Sequence, residues 1–273
     1  MKFEQLAAGT IEREGLGLNY VDSGGPGLPV VFQHGLCGDA RQTAEVFPDD
    51  QRFRLLTLEC RGHGRSEARP DTAFSIAAFA DDVAALMSAR DIAPAVIGGI
   101  SMGAAIALRL AVHRSDLVRA LILARPAWTL EAAPENMAPN AEVGGLLQTL
   151  DPVAAKAAFT AGDTARRLAA EAPDNLASLI GFFDRPPVET TARLLTSISA
   201  DGPGVTAEQV QRLSVPTLVI GTERDAIHPL AYAHTLADLI PTARLVTITP
   251  KATDRAAYVR EFQAALQTFL EEI

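Results

Sequence analysis

The chain has 273 residues, 48% hydrophobic and 21% charged, the balance of a packed globular protein rather than a disordered, collagen-like or coiled-coil one. Its formal charge of −9 comes with no cluster of basic residues, which argues against nucleic acid and anionic membranes as main partners. No stretch approaches the roughly 18 apolar residues that span a bilayer. Met1–Leu6 has neither a basic flank nor an apolar run, so no secretory signal is expected. Two cysteines, Cys37 and Cys60, are too few for a disulfide framework, so the expectation is reduced thiols in a cytoplasmic protein.

The first short apolar run is Val30-Val31-Phe32, leading into Gln33-His34-Gly35. A second, Arg54–Leu58, precedes Arg61-Gly62-His63-Gly64-Arg65-Ser66. Ile76, Phe79, Val83, Leu86 and Met87 then recur at helical spacing, which places Asp81 and Asp82 on the other face. Ala95–Ile100 reads as a third strand, Met102–His113 as an alanine-rich helix and Val118–Ala124 as a fourth strand ending at Arg125-Pro126. Continuous apolar strands separated by helices imply a parallel sheet covered on both faces, with right-handed crossovers.

The pattern changes at Ala127, and up to about Gly204 only helix signals occur. Asp151-Pro152 has the form of an N-cap followed by proline at the first helical position. Asp174 opens a stretch with Leu176, Leu179 and Ile180, and Leu194, Leu195 and Ile198 form another. Thr206 and Gln209 then have capping-box spacing. Val215–Gly221 is a strand, Leu230–Leu239 a helix and Arg244–Ile248 the last strand. A terminal helix buries Tyr258, Phe262, Leu266, Phe269 and Leu270. The fold class is α/β, a doubly wound and mostly parallel sheet with a helical insertion.

Gly99-Ile100-Ser101-Met102-Gly103 is the strongest local signal, because it follows a strand and opens a helix. A turn that tight needs neighbours without side chains, which Gly99 and Gly103 supply. Ser101 is then held in a strained conformation with its hydroxyl above the sheet. The N-terminus of the next helix favours negative charge developing there.

At these residues the chain resembles the α/β-hydrolase superfamily over nearly its whole length. The resemblance implies three segments: core residues 1–126, a helical cap at 127–204 and core residues 205–273. His34-Gly35 resembles the family's HG element, which implies an oxyanion hole from the N–H groups of Leu36 and Met102. Glu59-Cys60-Arg61-Gly62-His63-Gly64-Arg65-Ser66 resembles its D-x-R-G-x-G-x-S loop, with glutamate in the aspartate slot. Gly221-Thr222-Glu223-Arg224-Asp225 resembles the loop that presents the triad acid, which implies Asp225 in that role.

The chain departs from the family at its base. After the last strand comes Thr249-Pro250-Lys251-Ala252-Thr253-Asp254-Arg255, and no histidine follows His234. Ungapped comparison puts Thr253 or Asp254 in the histidine's place. A serine hydroxyl needs a base to accept its proton. Asp254 is a candidate if burial raises its pKa, and Lys251 if desolvation depresses its own, but a helix-capping Asp254 and a solvated lysine are the expected reading. His228, three residues after Asp225, is the more interesting substitute; it could equally bind substrate or simply precede a helix. His34, Cys37, Arg125 and Trp128 are candidate substrate contacts, each with a packing or ion-pair role as the alternative.

No metal-ligand set and no phosphate-binding loop is visible, so no cofactor is expected. The expected function is a serine-dependent hydrolase of a small ester, lactone or related carbonyl substrate with an atypical triad. The alternatives are a cofactor-free lyase, isomerase or decarboxylase in the same pocket, and a non-catalytic ligand-binding member of the fold. The expected partner is a small molecule; the oligomeric state stays open.

Overall fold

The computed structural model describes residues 1–273. Its strands are β1 (Ala7–Arg13), β2 (Leu16–Asp22), β3 (Leu28–Gln33), β4 (Phe53–Leu58), β5 (Ala95–Ile100), β6 (Val118–Ala124), β7 (Thr217–Thr222) and β8 (Ala243–Ile248). They form one sheet in the order β1-β2-β4-β3-β5-β6-β7-β8. β1 and β2 are antiparallel, β2 meets β4 antiparallel, and every pairing from β4 to β8 is parallel. The parallel, doubly wound sheet is as expected; the antiparallel hairpin at its edge is an addition.

The helices between the strands are α1 (Ala40–Val46), α2 (Ile76–Arg90) and α3 (Met102–His113). The connection from β6 to β7 holds α4 (Ala138–Thr149), α5 (Pro152–Ala161), α6 (Asp163–Glu171), α7 (Pro173–Phe182), α8 (Val188–Ser199) and the short α9 (Ala207–Gln211). Helices α10 (Leu230–Leu239) and α11 (Arg255–Glu271) complete the chain. Asp151 caps α5 by accepting from the N–H of Val153 and Ala154, and Thr206 with Gln209 forms a reciprocal capping box on α9.

Period-two alternation in β5 divides its side chains between two cores. Val96 and Ile100 join Phe32, Ile122 and Phe262 on the α1 and α11 face. Ile97 joins Val83, Ile106, Leu110 and Leu236 on the α2, α3 and α10 face. Each such side chain contributes roughly 1.5–3 kcal/mol on burial. A third, smaller core of Val143, Phe159, Leu168, Phe183 and Leu195 lies within the helices after β6.

Asp82 does not lie on a solvated face. It is wholly buried on α2 and grips Arg61 by Nε (2.6 Å) and Nη2 (2.8 Å). The bidentate pair with the loop after β4 supplies the partner that a buried carboxylate requires.

The chain order reverses at β3, which lies between β4 and β5. Crevices outside the carboxyl ends of strands at such a switch point are the usual ligand sites of open α/β sheets. The register brings those ends level: Gln33 pairs with Gly99, Ile100 with Ala124, Ala124 with Ile220 and Thr222 with Ile248. The loops bearing His34–Gly38, Ser101, Arg125, Asp225–His228 and Lys251 therefore leave one edge.

Candidate active site

Ser101 sits between β5 and α3 with φ 58° and ψ −113°, a strained backbone for a residue with a side chain. Its neighbours explain how the strain persists. A Cβ on Gly99 would stand 2.7 Å from the Gln33 carbonyl oxygen, and one on Gly103 would collide with that same oxygen. The Ser101 N–H donates to Ala124 O (2.9 Å). Serine is thus fixed where the ends of β3, β5 and β6 converge.

Ser101 borders a cavity of about 210 Å³. Leu36, Cys37 and Gln42 line it from the core, Asn140, Asn175 and Phe182 from the helical insertion, and Arg125, His228 and Lys251 from the later loops. The Ser101 hydroxyl makes no hydrogen bond to a protein atom, and neither the Leu36 nor the Met102 N–H has an acceptor in the protein. Gln42 Oε1 accepts from the Gly35 N–H (2.7 Å) and so braces the loop carrying Leu36.

Asp225 is the hub of the acidic side. Its Oδ2 accepts from Arg125 Nε (2.9 Å) and Nη2 (2.5 Å). Its Oδ1 accepts from Asn175 Nδ2 (3.0 Å), the His228 N–H (3.0 Å) and His228 Nδ1 (2.9 Å). Burial alone would raise the Asp225 carboxyl, but the Arg125 guanidinium and His228 outweigh it and hold it well below the usual carboxylate range. Burial pushes His228 below its ordinary value of 6.5, with Asp225 opposing and Arg125 assisting.

Asp225 is ionised and carries no proton, so its 2.9 Å contact calls for the proton on His228 Nδ1, a nitrogen that Arg125 Nη2 also approaches at 3.2 Å. The neutral ring then keeps a bare Nε2, which has no protein partner, and His228 lines the cavity. An imidazole fixed by a carboxylate at Nδ1 and free at Nε2 is the arrangement of a general base.

The other candidates divide. Cys37 borders the cavity, but burial pushes its thiol up to about 12, so it offers no thiolate. Arg125 borders it too, with its charge committed to Asp225 and its Nη1 near the Tyr258 hydroxyl (3.3 Å); the ion-pair alternative holds. His34 and Trp128 do not reach the cavity. His34 is fully buried, with Nδ1 donating to Gly35 O (2.8 Å) and Nε2 accepting from the Cys60 N–H (3.1 Å). Trp128 is packed in the core and donates from Nε1 to Asp201 O (2.8 Å). Both sit where backbone groups need partners, and neither lines the cavity beside Ser101.

In the turn after β8 Asp254 is the helix cap it was expected to be, while Lys251 is not on open surface. Thr253 and Asp254 are exposed, and Asp254 caps α11 by accepting from the Ala257 N–H (2.9 Å). Lys251 is the residue of that turn that lines the cavity, and it makes no hydrogen bond or ion pair. Glu59 fills the aspartate slot structurally, accepting from Asn19 Nδ2 (2.9 Å) and the Arg65 N–H (2.7 Å).

Sequence reasoning passed over Asn140, Asn175 and Gln42. Asn175 Oδ1 accepts from the Ala226 N–H (2.7 Å), so one side chain of α7 clasps both Asp225 and its loop. No local pattern marks these residues; each reads as a polar position on a helix.

Known proteins agree with this architecture. The family model described as the alpha/beta hydrolase fold matches residues 29–251, and the chain belongs to that family. It is similar to 3-oxoadipate enol-lactonase 2 of Acinetobacter baylyi, 25% identical over 280 residues and 96% of each chain. It is also similar to the AB hydrolase superfamily protein YisY of Bacillus subtilis, 28% identical over 247 residues, 83% of this chain and 85% of that one. Among solved structures, the enol-lactonase of Burkholderia xenovorans LB400 superposes with TM-score 0.72 at 26% identity, covering 96% of this chain and 100% of that one. No helix is long and apolar enough to cross a membrane.

Proposed function

We propose that the protein is a serine hydrolase of a small ester or lactone, with His228 as a relocated base. Ser101 Oγ attacks the substrate carbonyl carbon while its proton passes to His228 Nε2. The carbonyl π electrons move onto oxygen, where the Leu36 and Met102 N–H groups receive the charge; each such donor is worth about 2.7–4 kcal/mol. The oxyanion collapses, the bond to the leaving oxygen breaks, and His228 returns the proton to it. Water, deprotonated by His228, then releases the acid from Ser101 by the same steps in reverse.

The observation that carries this reading is His228 itself: Nδ1 bound to Asp225 and Nε2 free on a residue that lines the cavity Ser101 borders. The resting Ser101 hydroxyl is not hydrogen-bonded to it, so the proton passes after rotation of the serine side chain or through one water; catalytic hydrogen bonds commonly tighten only with substrate bound. The similarity to enol-lactonases agrees with a small carbonyl substrate.

The test is labelling by a fluorophosphonate, followed by hydrolysis of short p-nitrophenyl esters. Labelling is expected at Ser101 and not in Ser101→Ala, with turnover down at least about 10³-fold in that variant. Full turnover in Ser101→Ala would sink the reading.

The unbonded serine favours one second reading: Ser101 and the two N–H groups hold an enolate while His228 takes a proton from substrate carbon. That enzyme would be a lyase, isomerase or decarboxylase and would never form an acyl-enzyme. Retained chemistry on a carbonyl acid in the phosphonylation-resistant Ser101→Ala variant would identify it.

A further inference from the structure

Three asparagines of the helical insertion lie close to the cavity, and two of them have structural duties. Asn136 donates from Nδ2 to Ala127 O (2.9 Å) and Ile227 O (2.6 Å). Asn175 uses both ends of its amide on the Asp225 loop. Asn140, on α4, uses neither end. It is 5% exposed and lines the cavity. Its Oδ1 is sealed from solvent without a partner, while Nδ2, equally unpartnered, is not sealed. Burying an unsatisfied amide costs about 1–3 kcal/mol, and an apolar side chain there would avoid that cost. Oδ1 stays sealed, as does that of Asn136, so it is the open, unpartnered Nδ2 on a residue lining the cavity beside Ser101 that points to a ligand.

We propose that Asn140 is a substrate-recognition residue, and that the substrate carries a second oxygen acceptor on its acyl part, remote from the bond that is cleaved. Asn140 Nδ2 donates to that oxygen. The inference rests on the serine-hydrolase reading and narrows its substrate class. The balance of polar groups in the cavity favours an acceptor. Gln42 Nε2 and Lys251 Nζ are further donors there without protein partners, and the Gly35 N–H fixes the Gln42 amide so that its nitrogen is the free end. Against these stands one free carboxylate, Asp174. A keto oxygen and a carboxylate oxygen share the required chemistry. A saturated acyl chain of the same length lacks it and leaves Asn140 buried and unpaired in the complex, the situation in which enzymes discriminate most sharply.

The experiment compares p-nitrophenyl pentanoate with p-nitrophenyl levulinate, in which one methylene becomes a carbonyl, and with the p-nitrophenyl half-ester of adipic acid. Wild-type enzyme is expected to favour at least one acceptor ester over the pentanoate by about tenfold or more in kcat/KM. In Asn140→Leu and Asn140→Asp that ratio should fall to within about threefold, and in Asn140→Asp the adipate half-ester should suffer most, because like charges meet. Asn140→Leu should melt no lower than wild type, since it removes an unpaired buried amide. Loss of selectivity without loss of stability separates recognition from packing. If Asn140→Leu does not fold, Asn140→Asp, with the shape of the original, carries the same ratio measurement. A wild-type enzyme indifferent to the second oxygen overturns the proposal, as does a ratio unmoved in both variants; if turnover still depends on Ser101, the serine reading stands while the subsite falls. If no ester is hydrolysed, or Ser101→Ala is active, both fall together.

Discussion

Asp225 holds Arg125, His228 and Asn175 at once, and the first two have different duties. Arg125 makes a buried ion pair with it, the side chains 14% and 5% exposed, while His228 takes its other oxygen. Breaking a buried pair by removing one partner costs about 3–5 kcal/mol, because the remaining charge is left uncompensated. Asp225→Asn should therefore lower the melting temperature by about 10 °C and abolish turnover together. His228→Ala should reduce turnover per folded molecule at least as severely while costing little stability; near wild-type activity in it would remove His228 from the mechanism. The acid limb of kcat/KM follows from the same geometry. His228 must be neutral to accept a proton, and burial lowers its pKa, so the limb should have its midpoint below 6.5. A midpoint above 6.5 would contradict the assignment. Ser101 and Asp225 were legible because both stand in loops whose sequence is tied to their backbone shape. Asn175 and Gln42 were not, since their significance lies in partners on other elements, and Asn140 was not, since its lies in a cavity that other elements complete. At the last turn the Asp254 cap was legible from its place before a helix, whereas the placement of Lys251 at the cavity depends on backbone geometry.

Secondary elements differ in how clearly their residues announce them. β5, α3 and β6 fall where their apolar runs place them, because strands buried on both faces cannot be interrupted. The β1–β2 hairpin carries no such run, because β1 is an edge strand with no buried residue. Its turn is Glu14-Gly15 with φ 51° and 73°, the positive values of a two-residue hairpin loop, but glutamate is an unusual choice there. Gly9 pairs with Tyr20 across the ladder, and the tyrosine ring covers the space a side chain would need. Glycine substitutions at the element scale should separate sharply. Gly103→Ala sets a methyl against the Gln33 carbonyl and should push α3 away from β3, with loss of activity and a lower melting temperature. Gly145, inside α4, has open space about it. Gly145→Ala should stabilise the fold by up to about 1 kcal/mol through helix propensity, read as a raised melting temperature.

At the scale of the whole molecule, the helical insertion and the core hold each other by polar ties. Arg185 donates to Gly62 O (2.8 Å), Arg193 to Thr72 O (2.6 Å) and the Ile76 N–H to Asp201 Oδ2 (2.7 Å). Beneath the Arg185 tie lie His34 and His63, their ring centroids 4.8 Å apart. Burial pushes both below the ordinary 6.5, and His63 is lowered further by His34 and Arg185. With His228, three histidines are thus kept neutral by folding. The unfolded chain binds protons on these residues below about pH 6.5, while the folded chain refuses them until lower pH. Stability from this source is therefore fully present above 6.5 and is lost as pH falls beneath it. Thermal melts between about pH 8 and about pH 5 should show a flat upper region and then a decline that begins before the carboxylates titrate. His63 is the site to probe, because its Nε2 has no partner and its ring packs edge-on against Phe79. His63→Phe keeps the packing, gives up the Nδ1 contact with Arg61 O (3.0 Å) and removes one of the three proton sites. The variant should lose some stability at about pH 8, yet its melting temperature should fall less steeply with acid than that of the wild type. An unchanged slope would mean that the His63 proton affinity is the same folded and unfolded, and that its burial exerts no control over the fold's response to pH.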